Sequence, residues 1–117
     1  MRRYRVRRAA DVTRDLELIE EHLVKTYHEF GEDFEPAVQR AAARIDDALV
    51  YMRTFVTYPH RGTEHAQIRS GIRTVTNKNF IFYFDVDDIS SEVRILAIFF
   101  GGIDHRQQVM DRLRNGF

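Results

Sequence analysis

Apolar and polar positions change period several times along this chain, and each change marks an element. Over Arg3–Arg8 they alternate, with Tyr4 and Val6 on one face and Arg3, Arg5 and Arg7 on the other. A period of two predicts a half-buried strand. The period then lengthens: Val12, Leu16, Ile19 and Leu23 form one apolar stripe on a helix over about Asp11–Tyr27, with Asp11 as its N-cap. Gly31 is a natural stop. A second stripe of Phe34, Val38, Ala41, Ile45, Leu49 and Met52 predicts a longer helix over about Asp33–Thr54, Pro36 being tolerated in its first turn.

Tyr58-Pro59-His60-Arg61-Gly62 is a turn-rich connector. Short strands are expected at Ala66–Arg69 and Ile72–Thr76, linked by Ser70-Gly71, and an aromatic-rich strand at Phe80–Val86 after the turn Asn77-Lys78-Asn79. The last strand, Glu92–Phe100, is apolar on both faces except at Arg94, the pattern of a strand covered on both sides. Beyond the Gly101-Gly102 turn, Asp104 with Gln107 resembles a capping box, and Val109, Met110, Leu113 and Phe117 recur at helical spacing. A strand, two helices, a run of strands and a tail helix make an α+β fold. An antiparallel helical hairpin is expected on one face of a mostly antiparallel sheet of four to five strands.

The 117 residues suit one domain, 1–117, and 44% apolar content is enough to build its core. Met1-Arg2-Arg3 runs straight into the first strand pattern, which reads as no signal peptide. No apolar run approaches the ~20 residues of a membrane span. Without cysteine there is no disulfide, thiolate zinc site or thiol nucleophile. A cytoplasmic protein is expected.

Eighteen basic side chains balance eighteen acidic ones, so composition carries no polyanion-binding signature. The distribution is uneven. Five of residues 2–8 are Arg, whereas Asp11–Glu21 holds five acids and one Arg. Sixteen of the eighteen bases are Arg, the better bidentate partner for carboxylate or phosphate.

The order of elements, together with several short stretches, resembles the RelE/ParE superfamily of type II toxin–antitoxin toxins over nearly the whole chain. The stretches are Asp15-Leu16 with Ile19, Pro59-His60-Arg61-Gly62, Gly71-Ile72-Arg73, Phe82-Tyr83-Phe84-Asp85-Val86 and Val93-Arg94-Ile95-Leu96. The resemblance implies a small bacterial toxin of the plasmid-stabilisation type, neutralised by a cognate antitoxin. RelE-like members cut mRNA on the ribosome, and ParE-like members poison DNA gyrase.

Metal-free RNA cleavage needs a base, an acid and cations for the phosphorane charge. The resemblance would draw these from Arg69, Arg73, Lys78, Arg94 and His105, with Tyr83 as a further proton donor. In many relatives the last strand ends in His-Gly-basic-basic-Asp; here it reads Phe100-Gly101-Gly102-Ile103-Asp104. The His and both basic positions are gone. Arg73, Arg94 and His105 are therefore catalytic candidates only if the chain is a nuclease, and each Arg has a structural alternative in pairing with Asp85 or Asp87. Arg5, Arg7, Arg69, Phe100 and Arg106 are the candidate contacts to antitoxin or target. His60, His65 and His105 match no metal-ligand spacing, and no metal or cofactor is expected. Asp15, Glu17, Glu20 and Glu21 read as a solvated helix face. The favoured reading is a ParE-like inhibitor of DNA gyrase. A ribosome-dependent mRNA endoribonuclease and a degenerate toxin fold kept as a binding partner are the alternatives.

Overall fold

A computed structural model describes residues 2–101 and 106–115, for Arg106 and Leu113 the backbone alone. The elements run β1 (Arg5–Arg8), α1 (Val12–Glu29), α2 (Phe34–Arg53), a single 3-10 turn (Thr54–Val56), β2 (Thr63–Glu64), β3 (Arg73–Asn77), β4 (Phe80–Asp87), β5 (Glu92–Phe100) and α3 (Arg106–Asn115). They make one five-stranded sheet in the order β1-β5-β4-β3-β2. All neighbours are antiparallel except β1 and β5, which pair in parallel with Val6 opposite Val93. A hairpin cannot join parallel strands; α1, α2 and the rest of the sheet lie between these two. No helix among the described residues is long and apolar enough to cross a membrane.

The hairpin α1–α2 covers one sheet face. Val12, Leu16, Ile19 and Leu23 pack there with Phe55, Phe80, Phe82, Phe84, Val93, Ile95, Ile98 and Phe100. Phe55 meets Phe84 and Phe82 at centroid separations of 4.7 and 6.1 Å, edge-on, the arrangement that ring quadrupoles favour. The opposite face carries a smaller cluster of Tyr83, Ala97, Phe99 and Val109, which seats α3. One residue explains how β5 serves both faces. Ile95 pairs with Phe84 and Ala97 with Tyr83, so Leu96 is an extra residue, a bulge that resets the alternation. Ile98 and Phe100 thereby join Val93 and Ile95 on the hairpin side.

Several expectations need correction. Residues 66–69 form turns, because the backbone closes on itself through Ile68 N–H and Arg69 N–H to the His65 carbonyl. The strand paired with β3 is the shorter β2 just upstream. Asp11 makes no side-chain capping bond and has a helical backbone; its carboxylate lies 3.8 Å from Arg112 instead. Asp15 is not part of a solvated face but is 6% exposed. In α2 the apolar stripe begins on the surface: Phe34 is 62% and Val38 37% exposed, and Ala37 faces inward in their place. The Gly31 stop is as expected: its φ is +105°, and Glu32 N–H reaches back to the Tyr27 carbonyl as Gly31 N–H does to that of His28. Asp104 and His105, with the expected capping box, lie outside the described residues.

Candidate functional site

The connector Pro59-His60-Arg61-Gly62 is built from arginine chemistry. Arg61 lies over the rings of Tyr51, Phe55 and Tyr58 at 4.9, 4.8 and 5.4 Å. Its guanidinium donates to the Tyr58 and Thr54 carbonyls at 2.8 and 3.1 Å and to the Thr54 hydroxyl at 2.7 Å. It thus adds a donor to the Thr54 carbonyl, which already accepts the Thr57 and Tyr58 N–H groups, and ties the Tyr58 carbonyl to the same point. Arg73, on β3, closes the other side by donating to the carbonyls of Arg61 (3.0 Å), His60 (3.2 Å) and Gly62 (3.2 Å). Gly62 has φ +78°, and a Cβ there would overlap the Thr74 carbonyl, so backbone approaches backbone where only glycine fits. Arg73 is in this way a clamp on a loop.

Arg94 belongs to a different place. Arg73 stands opposite Phe84 in the β3–β4 register, and Phe84 faces the hairpin. Arg94 stands opposite Asp85 in the β4–β5 register, one position along, and so points to the other face. There it makes a bidentate pair with Asp85, at 2.8 and 2.6 Å. Asp85 also accepts from Arg69 at 3.4 Å. The carboxylate beside Arg94 raises the guanidinium's already high pKa. On the same face Glu92, only 7% exposed, takes Arg7 at 3.3 Å and Arg5 at 3.6 Å. Each of these two carboxylates thus gathers two arginines. Arg7, Arg8, Asp87, Glu92 and Arg94 line a polar hollow of about 320 Å³ between them. Beyond it Tyr83, buried in the α3 cluster, has its phenol pKa raised by desolvation.

The remaining candidates divide. Phe100 is 8% exposed, stacked edge-on against Phe80 at 5.2 Å, and serves the core. Lys78 lies 3.7 Å from Asp47, well away from the arginine face. His65 contacts the Thr74 hydroxyl at 2.7 Å and His60 the Asp88 carboxylate at 2.7 Å, so each has its own partner. Among the described residues no three His, Cys, Asp or Glu side chains gather as a metal site. His105 and the Arg106 side chain lie outside the described residues.

Two polar centres had no signal in the sequence. Asp15 reaches from α1 to the β5 bulge, accepts the Ile98 N–H at 3.1 Å and pairs with Arg112 of α3, which itself donates to the Leu96 carbonyl at 3.2 Å. Burial raises the Asp15 pKa against the lowering effects of that N–H and of Arg112. At the other end of the sheet, Tyr4 donates to Asp88 at 2.5 Å beside the His60 contact. These bonds hold the Asp88 pKa below the usual carboxylate range, and the Asp88 bond raises that of Tyr4. Both centres join residues more than 80 positions apart, a separation that no local pattern encodes.

Comparison with known proteins bears on the fold. No family model matches the sequence, and no curated protein matches it. Among solved structures, a chain from the "Chromosomal ParDE TA system from P. aeruginosa" superposes with a TM-score of 0.64 at 19% identity, over 83% of this chain and 95% of that one. A chain of "the toxin-antitoxin complex RelBE2 (Rv2865-2866) from Mycobacterium tuberculosis" gives 0.49 at 15% identity, over 84% and 98%. The fold assignment rests on the first. The α+β architecture expected from the sequence is thus shared with that first chain.

Proposed function

We propose that this chain is the toxin of a type II toxin–antitoxin pair and acts in the ParE-like manner, by binding DNA gyrase, and not as an RNase. The observation that carries this reading is the separation of the two arginines that nuclease chemistry would need together. Arg73 faces the hairpin side with its donors given to three backbone carbonyls, and Arg94 faces the opposite side in a bidentate pair with Asp85. A phosphorane needs its cations preorganised around one point. These two would have to break existing bonds and still could not converge. Phe100 at the strand end adds no proton-transfer group. The likeness to a ParDE chain at TM-score 0.64 supports the same branch.

A binding toxin needs surfaces more than a reactive centre, and the outer sheet face offers one. Its arginines, oriented by Asp85 and Glu92, form a hydrogen-bonding surface of paired charges. Arg5 and Arg7 on the edge strand β1 and Arg69 with Arg94 nearer the centre are the contacts proposed. Induced expression with two readouts tests the reading: gyrase-linked DNA breaks, and mRNA cleavage mapped on ribosomes. DNA breaks without codon-positioned cleavage are expected. Cleavage without DNA damage would replace this reading with the endoribonuclease one, and neither effect would leave a fold kept for binding alone.

A further inference from the structure

The outer surface of the hairpin carries a groove of about 560 Å³ between α1 and α2. Its α1 wall is the stripe Glu17, Glu20, Glu21, Val24, Lys25 and His28, roughly 16 Å long at the helical rise. Phe34 and Val38, the exposed start of the α2 stripe, form the other wall. Phe34 stands at the His28 end, edge-on to that ring at a centroid separation of 6.1 Å. Charge reverses along the α1 wall: glutamates fill its first half, and Lys25 and His28 lie in the second. The acids of the hairpin turn do not cancel that second half. Glu29, Asp33 and Glu35 lie outside the groove, and Glu32 pairs with Arg40 at 2.5 Å.

The stripe is its own complement. About a point between His22 and Leu23, Glu17 exchanges with His28, Glu20 with Lys25 and Glu21 with Val24. A two-fold axis makes residue i of one copy meet residue j of the other, and j meet i. We infer that the free chain pairs with a second copy of itself through this groove, α1 antiparallel to α1 about an axis at that point. Two Glu20–Lys25 contacts then cross the interface, and Val24 of each copy comes close to the axis. Glu17 and Glu21 already share Arg14, at 3.1 and 3.9 Å, so the Glu20–Lys25 contact is the one that sets the pairing. Phe34 faces the Glu17 end of the second copy, and its exposed ring is covered there. The apolar contribution is small, so association is weak and concentration-dependent. Self-pairing is independent of the toxin reading and stands if that reading falls.

Sedimentation equilibrium of the purified chain over a range of concentration tests this. It compares wild type, Glu20→Lys, Lys25→Glu, the exchanged variant Glu20→Lys/Lys25→Glu, and the control Asp46→Lys, which sits on α2 outside the groove. Thermal melts verify that each variant is folded. Wild type and control are expected to show the same reversible dimer. Each single reversal sets like charges opposite each other twice and is expected to weaken the dimer at least about tenfold. The exchanged variant restores the opposition and most of the affinity. Positions 20 and 25, five apart, are not neighbours on one helix, so this restoration reports contact between copies. Mixing the two single variants is the sharpest arm: neither pairs with itself, and together they form a heterodimer. A wild-type chain that stays monomeric overturns the inference. Dimerisation that both reversals leave intact places the interface elsewhere and overturns it too, as does weakening that neither exchange nor mixing repairs. A monomer throughout, with the reversals weakening its complex with the protein of the adjacent short reading frame, gives the groove to that partner alone.

Discussion

Arg73 and Arg94 look interchangeable in the sequence, each a lone arginine in a strand, and the fold gives them unrelated tasks. Arg73→Ala removes a cation that donates to three carbonyls around Gly62. Charge-assisted bonds of this kind contribute about 1.5–3 kcal/mol when partly shielded. The variant is expected to lose about 2 kcal/mol in urea melts, and toxicity should fall only as far as folded protein is lost. Gly62→Ala should cost more than about 1 kcal/mol, because both its φ and the Thr74 carbonyl oppose a side chain. Arg94 is half exposed and Asp85 keeps Arg69 when it is removed. A double-mutant cycle on Asp85 and Arg94 should therefore return no more than about 1 kcal/mol. A larger coupling would mark the pair as structural and weaken its claim to be a binding surface.

At the level of elements, α3 is tied down by the polar contacts of Arg112 and by a small apolar cluster. Arg112 pairs with Asp15 and bonds the bulge at Leu96, while Val109 packs on Tyr83, Ala97 and Phe99. Arg112→Ala leaves a buried carboxylate without its cation and is expected to cost about 3 kcal/mol. The pH dependence follows from the raised Asp15 pKa. The folded state holds that proton more tightly than the unfolded one, so this group's contribution is fully present below the ordinary carboxylate pKa and lost as pH rises through the folded value. Relative to Asp15→Asn, the wild type should be most favoured in acid and lose that advantage as pH rises above the ordinary carboxylate range, as read by denaturant melts. An advantage that grows with pH would contradict it. How far the elements were legible follows the same division. The stripe Val12–Leu16–Ile19–Leu23 and the limits of β5 depend on local periodicity and read directly from the chain. The strand expected at Ala66–Arg69 failed because an apolar–polar alternation four residues long does not distinguish a strand from consecutive turns. Phe34 and Val38 misled for another reason: helical spacing shows a stripe but not where the neighbouring sheet ends. Asp15 read as solvated because its partners, Ile98 and Arg112, come from distant positions.

Along the chain charge is uneven within a neutral sum: five of residues 2–8 are arginine, whereas residues 11–35 hold nine acids against two bases. The fold also places Arg73 and Arg94 on opposite faces of the sheet. The candidate site was legible as a list of residues but not as a geometry, because whether two strand residues share a face depends on registers that only pairing sets. Arg73 and Arg94 are the example. The central claim is that the chain acts by contact and not by cutting RNA. Its most direct test is primer-extension mapping of ribosome-bound mRNA after induction, beside an assay for gyrase-linked DNA breaks in the same cells. The account predicts DNA breaks and no codon-positioned mRNA ends. Codon-positioned ends that appear on induction, and vanish in an Arg73→Ala variant shown to be folded, would contradict it.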